Sequence, residues 1–220
     1  MAKITDLRPG KGRGQRMNIF LDGKFAISVG AGVAAREGLR TEQTVTDDQL
    51  ESLARADRFE RCLAAATRYL AVRPRSQSEM KERLMHRGFD SDTRSAVMAK
   101  LEGQGLLNDA AFARLWADSR EASSPRSRLL TRLELRKKGV PADVIDAAVN
   151  DIDDEANAHR AAISRLRSLQ RSDREEFRRR LGAYLQRRGF AYEVVRRTVE
   201  RVWLERESSA DNEGTAGRSL

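Results

Sequence analysis

The sequence predicts an all-α protein: an elongated tandem array of three three-helix repeats behind a small N-terminal β-hairpin extension. Three observations predict it. The hexapeptides LMHRGF (84–89), LRKKGV (135–140) and LQRRGF (185–190) return about every fifty residues, the period of a repeat architecture. Between residues 46 and 207 the apolar positions keep helical spacing, as in Leu63, Ala66 and Leu70 or Val195, Val199 and Val202. Finally, the 220 residues are 34% charged and only 5% aromatic, a composition of thin helical layers rather than one deep core.

At the N-terminus, RMNIFLDGKFAISV (16–29) alternates apolar residues on either side of Asp22-Gly23, a pair that supplies positive φ for a two-residue hairpin turn. Ile4 and Leu7 suggest a further strand. RPGKGRGQR (8–16) reads as a mobile loop. It lacks the Gly-Lys-Ser/Thr of a phosphate-binding loop, which leaves Lys11, Arg13 and Arg16 as simple phosphate contacts or as solvated cations. A short helix over Val33–Glu37 should stop at Gly38. Thr46-x-x-Gln49 then has the form of a capping box opening the next helix.

The repeat follows from alignment on Gly88, Gly139 and Gly189. Four residues earlier stand Leu84, Leu135 and Leu185. Immediately before are Arg87, Lys138 and Arg188, and immediately after are Phe89, Val140 and Phe190. Asp92, Asp143 and Glu193 lie four residues beyond. Glycine accepts the left-handed conformation that ends a helix, and the flanking apolar pair makes the contact of a Schellman ending. The cation faces the negative helix end, while the acid, and Pro141 at the first helical position, suit the start of the next helix. Pro74-Arg75-Ser76 and Pro125-Arg126-Ser127 are a second match. Ser76-x-x-Glu79 is a capping box, and Ser172-x-x-Glu175 is its candidate counterpart in the third copy. Each copy is preceded by a further helical segment, over 57–72, 108–122 and 153–170. The expected organisation is a hairpin extension (1–45), a linker helix with repeat 1 (46–107), repeat 2 (108–152), repeat 3 (153–207) and a disordered tail (208–220). Deleting 1–45 should leave the array folded, because the packing partners of the array are expected within 46–207.

Little in the chain speaks for catalysis. His86 and His159 have no Cys partner nearby, and Cys62, the sole cysteine, lies on an apolar face and reads as core. Asp151-Ile-Asp-Asp-Glu155 lacks the glycine and spacing of a calcium loop and better fits an acid-rich helix start. Glu79–Arg83 and the Asp173–Arg178 neighbourhood read as solvated pairs, and Trp116 and Tyr69 as packing residues. Neither cofactor nor metal is expected. No apolar run is long enough to span a membrane and the N-terminus has no apolar signal core, so the expectation is a cytoplasmic protein.

The net charge of +9 points instead to polyanions or acidic protein surfaces as partners. Arg87, Lys138 and Arg188 have a capping role. Lys137, Arg178, Arg179, Arg180, Arg187, Arg196 and Arg197 are not needed for it. With Arg126, Lys138 and Arg188, these form the candidate contact set, while Gly88, Gly139 and Gly189 are the structural caps.

EGQGLLNDAAFARLWADSR (102–120) followed by SPRSRLLTRLELRKKGV (124–140) resembles the RecX family of recombinase regulators. The matching residues are Gly105, Leu106, Asn108, Asp109, Phe112, Ala113, Trp116 and Arg120, then Pro125, Arg126, Lys138, Gly139 and Val140. Ser124 departs from a common glycine, and the third copy is degenerate. The resemblance implies tandem three-helix modules and no catalysis. It also implies a protein that binds RecA along the groove of the RecA–DNA filament and restrains the recombinase; single-stranded or duplex DNA inside the filament is a further expected contact, and a monomer is expected. The alternative reading is a helical protein that binds DNA without regard to sequence.

Overall fold

In a computed structural model, residues 1–10 and 16–216 are described, with side chains through 208 in the last helix. The chain divides into two compact units, Met1–Leu107 and Asn108–Leu220.

In the first unit, β1 (Ala2–Pro9), β2 (Arg16–Leu21) and β3 (Lys24–Gly30) form an antiparallel meander. Asp22 and Gly23 take φ of 47° and 78°, so the turn is the expected one with positive φ at both central positions. A two-residue strand, β4 (Thr44–Val45), pairs with the outer edge of β1, giving the order β3-β2-β1-β4. The extension is thus a four-stranded sheet. Helix α1 (Ala31–Arg36) covers it and ends before Gly38, whose φ is 60°. Ile4, Ile19, Val29, Val33 and Val45 are buried there together with Leu53.

Leu53 belongs to α2 (Asp47–Leu70), opened by the Thr46/Gln49 capping box. One uninterrupted helix serves as linker and as the first helix of repeat 1. Its N-terminal half packs on the sheet through Leu50, Leu53 and Ala56. Its C-terminal half joins α3 (Gln77–His86) and α4 (Ser91–Gly103) around Cys62, Ala66, Met80, Leu84, Val97 and Leu101. Asp57, almost fully buried at the midpoint, accepts from the Gly30 amide at 2.7 Å and pairs with Arg16 at 3.1 Å. These contacts correct two expectations. Arg16 is a structural cation rather than a phosphate contact, and part of the array's packing surface lies within residues 1–45. Lys11 and Arg13 lie outside the described residues.

The second unit holds repeats 2 and 3. Repeat 2 is α5 (Asp109–Ser123), α6 (Arg128–Lys137) and α7 (Ala142–Val149). Repeat 3 is α8 (Asp154–Arg165), a 3-10 turn (Leu166–Leu169), α9 (Arg174–Arg187) and α10 (Tyr192–Ala216). All three predicted stops are Schellman endings. Gly88, Gly139 and Gly189 have φ of 79°, 72° and 83°. The amides of Phe89, Val140 and Phe190 reach back to the carbonyls of Leu84, Leu135 and Leu185 at 3.3, 3.2 and 3.4 Å. Those leucines are fully buried, each contributing about 1.5–3 kcal/mol. A fourth such stop, not anticipated, ends α4 at Gly105, where the Leu106 amide donates to the Leu101 carbonyl.

Departures concentrate in the third copy and in one cap. Pro141 is the N-cap of α7, one residue before the expected position. Helix α9 has 14 residues against 10 in α3 and α6, because it starts a turn earlier. Its cap is Asp173, which accepts from the Glu176 amide at 2.8 Å, while Ser172 is buried and gives its carbonyl to Arg206. That extra turn takes up the place of the missing Pro-Arg-Ser. The end expected to be disordered continues the α10 backbone to Ala216, as extending an existing helix needs no new nucleus. Residues 217–220 of that expectation lie outside the described residues.

Candidate functional site

Repeats 2 and 3 share a tightly built junction. The Ser127 hydroxyl caps α6 by accepting from the Leu130 amide, and the Ser127 amide donates to the Arg188 carbonyl at 3.1 Å. The Arg188 guanidinium donates to Ser124 Oγ at 3.0 Å and to the Pro125 carbonyl at 2.9 Å, and stacks 4.7 Å from the Tyr184 ring centre. Thus the C-terminal stop of α9 supplies partners for the N-terminal turn of α6. Asn157 to the Arg126 carbonyl, and the Arg128 amide to Asp154, extend the contact.

Beside the junction, the half-buried Glu134 carboxylate gathers three donors. Trp116 Nε1 lies at 2.9 Å, Arg120 Nε at 2.8 Å, and Arg126 completes the set. Burial first, then the neighbouring Arg120 and Arg188, hold Arg126 below the usual arginine value. A guanidinium keeps its proton despite such a shift, and here its charge is directed inward. Lys138 stands 5.2 Å from the Trp116 ring centre.

The ten candidate cations therefore separate. Arg126 and Arg188 are committed to internal bonds, because each supplies donors to acceptors within repeat 2 or its junction. Lys138 is half-buried against Trp116. Arg180, Arg196 and Arg197 are exposed and pair with Glu176, Glu193 and Glu155 at 3.3, 3.2 and 2.7 Å. Exposed pairs of this kind hold by only about 0–1 kcal/mol, so a stronger partner can displace them. Lys137, Arg178, Arg179 and Arg187 are exposed and make no ion pair among the described residues. Arg179, Arg180 and Arg187 come together with Arg165 around Tyr184, lining a cleft of about 220 Å³. Arg165, 5.6 Å from the Tyr184 ring centre, was not anticipated. Its position in the last turn of α8, facing basic α9, is a tertiary fact with no counterpart in the repeat pattern.

The remaining polar candidates are structural. His86 is exposed near Glu82. His159 bonds Glu205 at 2.9 Å, which holds the Glu205 carboxyl below its ordinary range, with Arg201 assisting. Glu79 pairs with Arg73 at 2.8 Å within the α3 capping box. Cys62 is buried, and burial pushes its thiol up to about 11. Asp153 of the acidic run caps α8. Trp116 and Tyr69 pack against their repeat cores, as expected. Among the described residues no group of three or more potential ligands is placed to hold a metal, and no helix is long and apolar enough to cross a membrane.

Three-helix repeats closed by matching stops, with cations presented from the helix that carries each stop, define a helical-repeat protein. Known proteins place it more closely. Four family models match in order: the regulatory protein RecX N-terminal domain over 2–46, and the RecX first, second and third three-helix domains over 62–101, 108–149 and 153–199. A regulatory protein RecX of Amycolatopsis mediterranei is 35% identical over 156 residues, covering 68% of this chain and 89% of the relative. One from Clostridium botulinum is 26% identical over 205 residues, covering 91% and 96%. A crystal structure of regulatory protein RecX superposes with a TM-score of 0.65 at 24% identity, covering 88% of this chain and 97% of that one. RecX from Lactobacillus salivarius gives 0.58 at 20%, covering 68% and 99%. The chain belongs to the RecX family of regulatory proteins.

Proposed function

We infer that this protein binds RecA–DNA filaments in the cytoplasm and restrains recombinase activity, acting as a monomer and without catalysis of its own. The observation that carries the reading is the set of exposed, unpaired cations Lys137, Arg178, Arg179 and Arg187, held on two repeats whose junction is fixed by the Arg188 and Ser127 bonds. Cations fixed at several points along a folded body engage successive protomers of a filament together, so individually weak contacts add through effective concentration. Such a regulator bound along the filament opposes growth or favours disassembly.

The same cations support the alternative of sequence-independent DNA binding. Binding to RecA alone, to RecA–DNA filaments and to bare DNA at physiological salt separates the two. The filament reading expects the filament to be preferred, and tight binding to bare DNA alone would sink it. The triple variant Arg178→Glu, Arg179→Glu, Arg187→Glu should weaken inhibition and flatten its salt dependence. Unchanged inhibition with an unchanged salt slope would remove these residues from the contact.

A further inference from the structure

Gly182 lies in the middle of α9, where glycine costs about 0.5–1 kcal/mol relative to alanine. No local backbone demand accounts for it. Its φ is not positive, and a β-carbon there would meet only Val195 Cγ1, at an ordinary 3.8 Å. What the missing side chain creates is a groove between α9 and α10, a cleft of about 580 Å³.

A long basic side chain stands at the corresponding place in the other repeats. Counting back seven residues from each helix stop, Gly182 aligns with Arg132 in repeat 2 and Lys81 in repeat 1. Arg132 crosses to Asp146 on α7 at 3.0 Å and bridges its groove. In repeat 1, Lys81, Arg94 and Met98 line a smaller cleft of about 290 Å³. In the third copy the floor is aliphatic, formed by Gly182, Ala183, Val195 and Val199. Its rim carries Arg178, Arg179 and Tyr192, a residue 64% exposed although large apolar surface is normally covered.

We propose that the α9–α10 groove of repeat 3 is a docking site for an acidic protein segment that inserts a bulky apolar side chain. Charge and shape choose this occupant. The rim carboxylate Glu200 is paired with Arg174 at 2.7 Å, whereas Arg178 and Arg179 make no ion pair among the described residues and outnumber the neighbouring Glu175. The groove's free charge is positive, so it selects an acid. A peptide can set its acids against Arg178 and Arg179 and its apolar side chain on the aliphatic floor, whereas a polyphosphate, charged along its whole length, leaves that floor unused. Single-strand binders stack successive bases on several aromatics, and this floor is aliphatic with one tyrosine. An apolar anchor in the floor with acids at the rim is the helix- or strand-in-groove mode of peptide recognition.

The test uses the full chain and no recombinase, so this assignment and the filament reading fail separately. Fluorescence anisotropy at physiological salt would follow a labelled peptide Asp-Glu-Phe-Leu-Asp-Glu, the same peptide with alanine in place of phenylalanine and leucine, and a short oligothymidylate. Gly182→Leu fills the groove at a site where a side chain fits and helix propensity rises, so its melting temperature should not fall. It should weaken the apolar acidic peptide by about tenfold or more, as should Arg178→Glu with Arg179→Glu. Tyr192→Ala, at an exposed position, gives a second and smaller loss should Gly182→Leu disturb folding. The alanine peptide should bind at least about tenfold less well. Equal peptide binding by the native protein and all these variants, or no binding up to millimolar peptide, would overturn the proposal. So would loss of oligothymidylate binding in Gly182→Leu without any peptide effect, since the groove would then belong to nucleic acid.

Discussion

Gly189→Ala addresses a position where the repeat motif and the inter-repeat junction coincide. Its φ of 83° is left-handed, which costs an L-residue about 1–2 kcal/mol. A β-carbon there would also lie 2.6 Å from Ser127 Oγ and 2.8 Å from Leu130 Cβ. Both belong to the α6 entry that Arg188 is holding in place, so they cannot swing aside like the end of a flexible side chain. Overpacking of this kind costs about 1–3 kcal/mol, for a total of about 2–5 kcal/mol. Gly88 is the internal control: its φ is 79°, but a β-carbon there meets nothing within 4 Å, leaving only the about 1–2 kcal/mol backbone cost. Both tryptophans, Trp116 and Trp203, lie in the second unit, so urea titration followed by their fluorescence reports Gly189→Ala. Exposure of buried Cys62 to a thiol reagent reports Gly88→Ala in the first unit. At about 4 °C per kcal/mol for a unit of this size, Gly189→Ala should lower the tryptophan-monitored melting temperature by roughly 8–20 °C. A loss no larger than that of Gly88→Ala would refute the claim that the stop is packed into its neighbour.

Glu134→Ala removes the shared acceptor of Trp116, Arg120 and Arg126, and should cost about 2–3 kcal/mol with a red-shifted Trp116 emission; an unshifted spectrum and melt would count against the network. Glu205 is held below its ordinary range by His159 and Arg201, so its contribution is present above about pH 4.3 and lost as pH falls through the lowered value. Glu205→Gln should therefore flatten the acid limb of stability in melts between about pH 3 and 6, and identical limbs would refute the assignment. With its thiol pushed up to about 11 and no accessible surface, Cys62 should resist alkylation at pH 8 until denaturant opens repeat 1. Deleting residues 1–45 uncovers Leu53 and strips Asp57 of Arg16 and the Gly30 amide, so the first half of α2 should lose amide-exchange protection while the Cys62–Leu101 core retains it. Uniform protection along α2 would contradict this.

What could be read from sequence was local. The Schellman stops at Gly88, Gly139 and Gly189 depend on residues within five positions of each other, as do the capping boxes at Thr46 and Ser76, and all formed as expected. The repeat count followed because each copy restates that local grammar. Distance in sequence set the limit. Arg16 finds Asp57 forty-one residues away, and nothing in RPGKGRGQR distinguishes that arginine from its neighbours. β4 is two residues of edge pairing, too short for any periodicity. Within the candidate cations, local pattern gave a capping role to Lys138 and Arg188, and only the fold shows Arg126 and Arg188 spent on internal oxygens while Arg178, Arg179 and Arg187 make no ion pair among the described residues. The extra turn of α9 had a legible trace in Asp173-x-x-Glu176, but Ser172 one residue earlier offered the same type of signal.

The double membership of α2 also constrains the order in which the chain acquires structure during synthesis. The sheet emerges first, yet its core stays open on one face until Leu50, Leu53 and Ala56 leave the ribosome, and Arg16 waits for Asp57. By then the helix has begun to present the residues that nucleate repeat 1. The N-terminal domain should therefore complete its fold only once the first half of α2 has emerged, whereas the Cys62–Leu101 core of repeat 1 can form without the sheet.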